Sequence, residues 1–325
     1  MEDVTGRNVR KPRPAWRMTL VSAFVVLVAL TVFFAHRVQE VRRQSKDLEC
    51  RSNLFQTGTA LLNLADHYGC FPPPHITDQN GKPLYSWRVF ILPEYSGPHD
   101  VYDQFDFTKS WDDPANKRFC EGESNSTLSR LFSCPILPRT SKFEADYFYA
   151  LNAKDEWPRD FFNDGPRHML LVESRVRTTY WTEPVDFEYQ EPGFKGLLNK
   201  LRESKPIHNA GCNCFLSDGS RTLKIPAAAD PDFDSDNFGD LARMPRTSDA
   251  RTKLQTWRLI NNLIKILGEQ DRPHSFYMRH RALLYLAELG PQAKAAVAMI
   301  RRILAEEQDQ RLTRVAAFAL AKIGK

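Results

Sequence analysis

Residues 18–35 (Met18-Thr19-Leu20-Val21-Ser22-Ala23-Phe24-Val25-Val26-Leu27-Val28-Ala29-Leu30-Thr31-Val32-Phe33-Phe34-Ala35) carry no charge and no proline. As a helix this run covers about 27 Å, close to the ~30 Å hydrocarbon thickness of a bilayer. A soluble core helix would keep a polar face. A cleaved secretory signal would have a shorter apolar core and small residues at its cleavage site, whereas Ala35 is followed by His36-Arg37. The pattern predicts a retained membrane anchor. No proline or glycine then interrupts the chain before Gly58, and Val38, Val41, Leu48, Leu54, Leu61, Leu62 and Leu64 recur at roughly helical spacing. The anchor is therefore expected to continue as an amphipathic helix to about His67, ended by Tyr68-Gly69 and Phe71-Pro72-Pro73-Pro74.

Residues 75–225 change texture. Asn80-Gly81, Leu92-Pro93, Asp113-Pro114, Cys134-Pro135, Asp164-Gly165 and Asp218-Gly219 punctuate the chain. Between them Trp87–Leu92, Tyr147–Leu151, His168–Glu173 and Cys212–Leu216 read as short strands. Helix followed by irregular antiparallel sheet is an α+β pattern. Residues 226–250 read as an acidic linker. Helical patterns then occupy about 252–268, 274–289, 292–306 and 311–323. Ala282-Leu283-Leu284-Tyr285-Leu286-Ala287-Glu288-Leu289-Gly290 recurs 34 residues later as Ala316-Ala317-Phe318-Ala319-Leu320-Ala321-Lys322-Ile323-Gly324. The recurrence resembles short HEAT-type repeats, which stack helix pairs and present surfaces to other proteins; a plain helical bundle remains the alternative.

Composition adds bounds. Hydrophobic residues make up 42% of the 325, enough for a real core, and the net charge is only +5. Basic residues flank the span (Arg7, Arg10, Lys11, Arg13 and Arg17 before it; Arg37, Arg42, Arg43 and Lys46 after it), which suits lipid headgroups. The slight excess before the span favours a cytoplasmic N-terminus. No basic face interleaved with aromatics suggests a nucleic-acid partner. All six cysteines (Cys50, Cys70, Cys120, Cys134, Cys212, Cys214) follow the span, which permits disulfides in an oxidising compartment. Their spacing lacks Cys-x-x-Cys and zinc-finger histidine intervals, so no metal and no cofactor is expected, and free buried thiols stay open. Asp232-Phe233-Asp234-Ser235-Asp236 fails as an EF-hand loop, with Asn237 and Arg243 where glycine and glutamate belong. Asn125-Ser126-Thr127 is a glycosylation sequon by pattern. Walker, dinucleotide and Gly-x-Ser-x-Gly motifs are missing, and no catalytic residue is assigned.

Across residues 18–225 the chain resembles a large planctomycete family of pilin-like proteins of unknown function, with a prepilin-type helix and a globular domain. The matching stretches run from Cys50-Arg51-Ser52-Asn53-Leu54 and Tyr68-Gly69-Cys70-Phe71-Pro72-Pro73 through Gly81–Val89 (with Trp87) and Leu92-Pro93 to Trp111–Asn116 and Cys134-Pro135. They continue with Asp164-Gly165, Leu171-Val172-Glu173, Trp181-Thr182-Glu183-Pro184, and His208 followed after nine residues by Asp218-Gly219. The resemblance implies a Cys50–Cys134 bridge tying the helix to the sheet; Cys70 and Cys120 are a second candidate pair. Arg17 and Ser22 stand where the prepilin signature has glycine and glutamate, so this chain is expected to keep its anchor and not to build a filament.

The expected fold is α+β: a long N-terminal transmembrane and stalk helix packed on an antiparallel sheet (pseudopilin-like), then an all-α HEAT-like segment. The expected order is a basic segment (1–17), the span (18–35), the pilin-like domain (36–225), the linker (226–250) and the repeats (251–325). The expected function is non-enzymatic: a single-pass protein of the cytoplasmic membrane, bound to lipid through residues 18–35 and displaying an extracytoplasmic body and repeats to protein partners. The alternative is a membrane-anchored enzyme or small-ligand binder with a site around Trp181, Glu183, His208 and Asp218.

Overall fold

The computed structural model describes residues 15–95, 97, 99–121, 126–137, 144–152, 169–174, 179–189, 194–203, 208, 211–216, 219, 222–225, 249–270 and 275–324. Residues 1–14 of the basic segment (1–17), residues 226–248 of the linker (226–250), Asn125, Asp164, Gly165 and Asp218 lie outside these residues. The protein is a mixed α+β chain, mostly helical, that divides into two compact units, Met1–Leu48 and Glu49–Lys325.

Helix α1 runs Ala15–Tyr68. In the first unit its apolar side chains, among them Leu20, Phe24, Leu27, Leu30 and Phe33, are exposed. By length and composition this helix can cross a membrane. Val38, Val41 and Leu48 are exposed too, so the amphipathic face starts later than the spacing suggested. It begins at Cys50 and continues through Leu54, Thr57, Leu61, Leu64, Ala65 and Tyr68, all buried, at steps of three and four that keep them on one side of the helix. Gly69, at φ +88°, ends the helix with its N–H on the Ala65 carbonyl.

In the second unit, β1 (His75–Thr77) and β2 (Pro83–Ser86) form a hairpin. Asp78 Oδ1 closes its turn by accepting from the Asn80 and Lys82 amides. The expected strand at Trp87–Leu92 is instead helix α2 (Trp87–Phe90) and a 3-10 turn (Leu92–Glu94) that includes Pro93. Two causes operate. The Ser86 side chain caps the helix by accepting from the Arg88 amide, and Trp87–Phe90 are buried on all sides, so no alternation exists to hold a strand. Short helices α3 (His99–Gln104), α4 (Pro114–Glu121) and α5 (Ser126–Leu131) follow.

The main sheet contains β3 (Tyr147–Asn152), β4 (Met169–Glu173), β5 (Phe187–Tyr189), β6 (Cys212–Leu216) and β7 (Thr222–Ile225), in the order β5-β3-β4-β6-β7. All pairings are antiparallel except β3 with β5. Helix α6 (Phe194–Glu203) precedes β6. Gly219, at φ +70°, lies between the antiparallel β6 and β7, as the Asp-Gly turn predicts. Helix α1 and β6 meet at Gly58, where a Cβ would lie 2.4 Å from the Phe215 ring. Helix propensity favours alanine over glycine by about 1 kcal/mol, but this overlap outweighs it. Gly58→Ala should destabilise the fold by about 1–3 kcal/mol, read as a lower urea midpoint at unchanged slope.

Helices α7 (Asp249–Gly268), α8 (Ser275–Leu289), α9 (Val297–Glu306) and α10 (Gln310–Ile323) match the four expected helical patterns, with a 3-10 turn at Gly290–Ala296. They share the compact unit with the sheet. Tyr68 stacks on Tyr285 at 4.9 Å and donates its hydroxyl to the Met278 carbonyl. Arg281 pairs with Glu94 at 2.7 Å, and Lys322 reaches the Thr77 carbonyl (2.8 Å), Thr77 Oγ1 and Glu288. The two glycines of the internal recurrence differ in role. Gly290 takes φ +52° after α8, while Gly324 stays in the right-handed region.

Candidate functional site

Four elements converge on one buried cluster. Cys50 comes from the buried face of α1, Cys134 from the turn after α5, Glu173 from the last position of β4, and His208 from the approach to β6. Each is set by local structure. The Cys134 amide donates to Asp146 Oδ2 at 2.9 Å. His208 and Gly211 exchange both backbone hydrogen bonds, at 3.2 and 2.9 Å. Glu173 sits opposite Tyr147 in the β3–β4 register.

The Cys50 thiol donates to Glu173 Oε1 at 2.6 Å and lies 3.3 Å from the Tyr147 hydroxyl. His208 Nε2 stands 3.0 Å from both Glu173 oxygens and 3.7 Å from Cys134 Sγ. Asn213 Nδ2 donates to Glu173 Oε2 at 2.7 Å and lies 3.1 Å from His208 Nε2. One ligand atom from each of Cys50, Cys134, Glu173 and His208 falls within 4.8 Å of the others. The cysteines and Glu173 are fully buried, and His208 is 4% exposed.

Electrostatics tie the four together. Burial opposes charge on His208, but Cys134 and Glu173 beside it raise its pKa to about 10. Burial likewise raises Glu173, yet hydrogen bonds from His208 and the two thiols leave it below the usual carboxylate value. The contact with Cys134, then burial and Glu173, push Cys50 up. The hydrogen bond from Cys50, and next that from His208, bring Cys134 down against its burial. This is a closed thiol–carboxylate–imidazole site able to hold protons or a cation.

The expected Cys50–Cys134 and Cys70–Cys120 disulfides are not formed: no disulfide joins any of the six cysteines. Cys50 and Cys134 are brought together, but their sulfurs turn to Glu173 and His208 instead of to a shared bond. Cys120 Sγ lies 2.5 Å from Thr182 Oγ1, and the Cys70 carbonyl accepts from Tyr285. Cys212 and Cys214 flank Asn213 on a strand buried on both faces, so only Asn213 of the three points at the cluster. The pocket imagined around Trp181, Glu183, His208 and Asp218 is divided. Trp181 is buried against Phe132 with its indole N–H on the Phe119 carbonyl, and Glu183 accepts from the Tyr180 amide. Neither contact involves His208, and Asp218 lies outside the described residues.

Trp87 belongs to a second buried network. Its indole N–H donates to Asp186 Oδ1 at 2.9 Å, as does the Tyr149 amide at 3.0 Å. The fully buried Arg88 donates to the Tyr147 carbonyl and Ser86 Oγ and lies 3.7 Å from Asp186. Elsewhere a cavity of about 350 Å³ opens beside α3 and α10. Among its charges Arg311 pairs with Asp103 and Arg314 with Asp106, while Arg118 donates to the Gln104 carbonyl.

These features define a mixed α+β protein whose first helix has the length and composition of a membrane span and whose body encloses a buried cysteine–histidine–glutamate cluster. Residues 39–182 match the model of a family described as protein of unknown function (DUF1559, SBP_bac_10). The matched region contains Cys50, Cys134 and Glu173 and stops before His208. No curated protein and no solved structure matches the chain.

Proposed function

We propose that this chain is a non-enzymatic, pseudopilin-like protein, held in the cytoplasmic membrane by residues 18–35, that presents its body and HEAT-like helical tail outside the cytoplasm to other proteins. The observation carrying this reading is α1 itself. One helix supplies an apolar stretch with no buried side chains among the described residues and, from Cys50 on, the spine of a packed core. The alternative, catalysis or small-ligand binding at His208, is disfavoured by burial: the members of the cluster are 0–4% exposed, whereas ligand sites are open clefts.

Protease treatment of intact spheroplasts checks the topology. A C-terminal epitope should be degraded while the membrane fraction retains the N-terminal segment. Protection until lysis would invert the orientation, and recovery of the intact chain in the soluble fraction would remove the anchor.

A further inference from the structure

We propose that Cys50, Cys134, Glu173 and His208 form a structural zinc site that pins α1 to the sheet. This goes beyond the anchoring role and stands whether or not that reading holds.

The donor set argues for the ion. Two thiolates, one imidazole nitrogen and one carboxylate oxygen are ligands that zinc takes in tetrahedral sites, whereas calcium and magnesium want oxygen alone. With zinc–ligand bonds of 2.0–2.3 Å, a tetrahedron spaces its ligand atoms roughly 3.3–3.8 Å apart. The Nε2–Sγ distance of 3.7 Å already matches, and the Nε2–Oε contacts of 3.0 Å need to open by only a few tenths of an ångström. The Cys50–Glu173 contact at 2.6 Å is a hydrogen bond whose proton an ion would replace. All four atoms lie within 4.8 Å of one another, so closure needs side-chain adjustment and no movement of backbone elements.

The surroundings match as well. Asn213 Nδ2 donates to Glu173 Oε2, which leaves Oε1 for the metal, and lies 3.7 Å from Cys50 Sγ. The Tyr147 hydroxyl stands 3.3 Å from the same sulfur. The Asn213 amide is a donor of the kind that orients ligands and offsets thiolate charge, while the Tyr147 hydroxyl, which donates to the Cys50 carbonyl, packs against the sulfur. Two thiolates and one carboxylate around Zn²⁺ leave a net charge of −1, which the Asn213 amide N–H groups face. Because protein supplies all four ligands and all are buried, no coordination position is left for substrate or water. The role is therefore structural, not catalytic.

The test uses the full-length chain in detergent, purified without a polyhistidine tag or chelator. Elemental analysis should find one zinc per chain, and Co²⁺ exchanged into the site should give tetrahedral d–d bands with a sulfur-to-cobalt charge-transfer band. Chelation should lower the unfolding midpoint by roughly 10 °C. Cys134→Ser and His208→Ala should lose the ion. His208→Cys should keep it, which separates lost ligation from a folding defect. Asn213→Ala should weaken zinc affinity by roughly 10- to 100-fold. A Cys50–Cys134 disulfide in metal-free, never-reduced protein would overturn the assignment. So would zinc content unchanged in Cys134→Ser, or a cobalt spectrum without the thiolate band.

Discussion

Asp186→Ala should lower the stability of the folded body by about 3–5 kcal/mol, the usual cost of leaving a buried charge without its partner. Arg88 is fully buried, and Asp186 is the carboxylate beside it. The substitution also strips the acceptor from the Trp87 indole and the Tyr149 amide. Burial raises the Asp186 pKa to about 6 even against the pull of Arg88. The pair is thus held by the fold more than it holds the fold, and its loss is felt as desolvation without compensation. Asp186→Asn keeps an amide oxygen for both donors but still takes the counter-ion from Arg88, so it should cost less than Asp186→Ala only by the share the two hydrogen bonds carry. Urea titrations of both variants at pH 7 decide the matter. Equal losses would show that the charge, and not the two hydrogen bonds, sets the cost.

The second large effect is a pH dependence. His280 is buried on α8 among Phe107, Phe276 and Tyr102, with Nδ1 2.9 Å from the Tyr102 hydroxyl. Burial, then Arg281 and Arg311 nearby, depress its pKa to about 3. The unfolded chain binds this proton near pH 6.5, so between pH 6.5 and 3 it holds more proton than the folded chain. Stability from this residue is complete above pH 6.5 and is lost as pH falls toward 3, by roughly 4–5 kcal/mol in all. His280→Asn keeps an amide within reach of the Tyr102 hydroxyl, able to donate or accept there, and cannot titrate. The variant should start less stable at pH 7, through the volume it gives up, and lose that much less than the wild type on acidification. Parallel stability curves for the two proteins would rule the mechanism out.

How much of this was legible in the sequence depends on how far apart the partners lie. The apolar helix, the end of α1 near His67, three of the four strands and the four tail helices are local patterns and were found where their spacing placed them, except that α9 starts at Val297, after a 3-10 turn, and not at 292. The segment Trp87–Leu92 misled because its residues are buried all round, so only the Ser86 cap marked it as helix. The cluster was invisible to motif logic. Its ligands sit at positions 50, 134, 173 and 208, far beyond the intervals of zinc-binding motifs, and only the sheet register and the α1 packing unite them. A signal did exist. All four lie within stretches that carry the family resemblance, and all four are metal-ligand types. Asn213 had no signal of its own; it looked like a spacer between two cysteines.

The clamp of Lys322 on Thr77 spans 245 residues, and that distance is also an interval of time. At 5–20 residues per second, a ribosome needs roughly 12–50 s to pass from one to the other. Throughout that interval the β1–β2 hairpin and the Tyr68 ring wait for α8 and α10 to cover them. A chain interrupted before α10 would leave the apolar face of α8 that α10 covers exposed as a seam that proteases can attack.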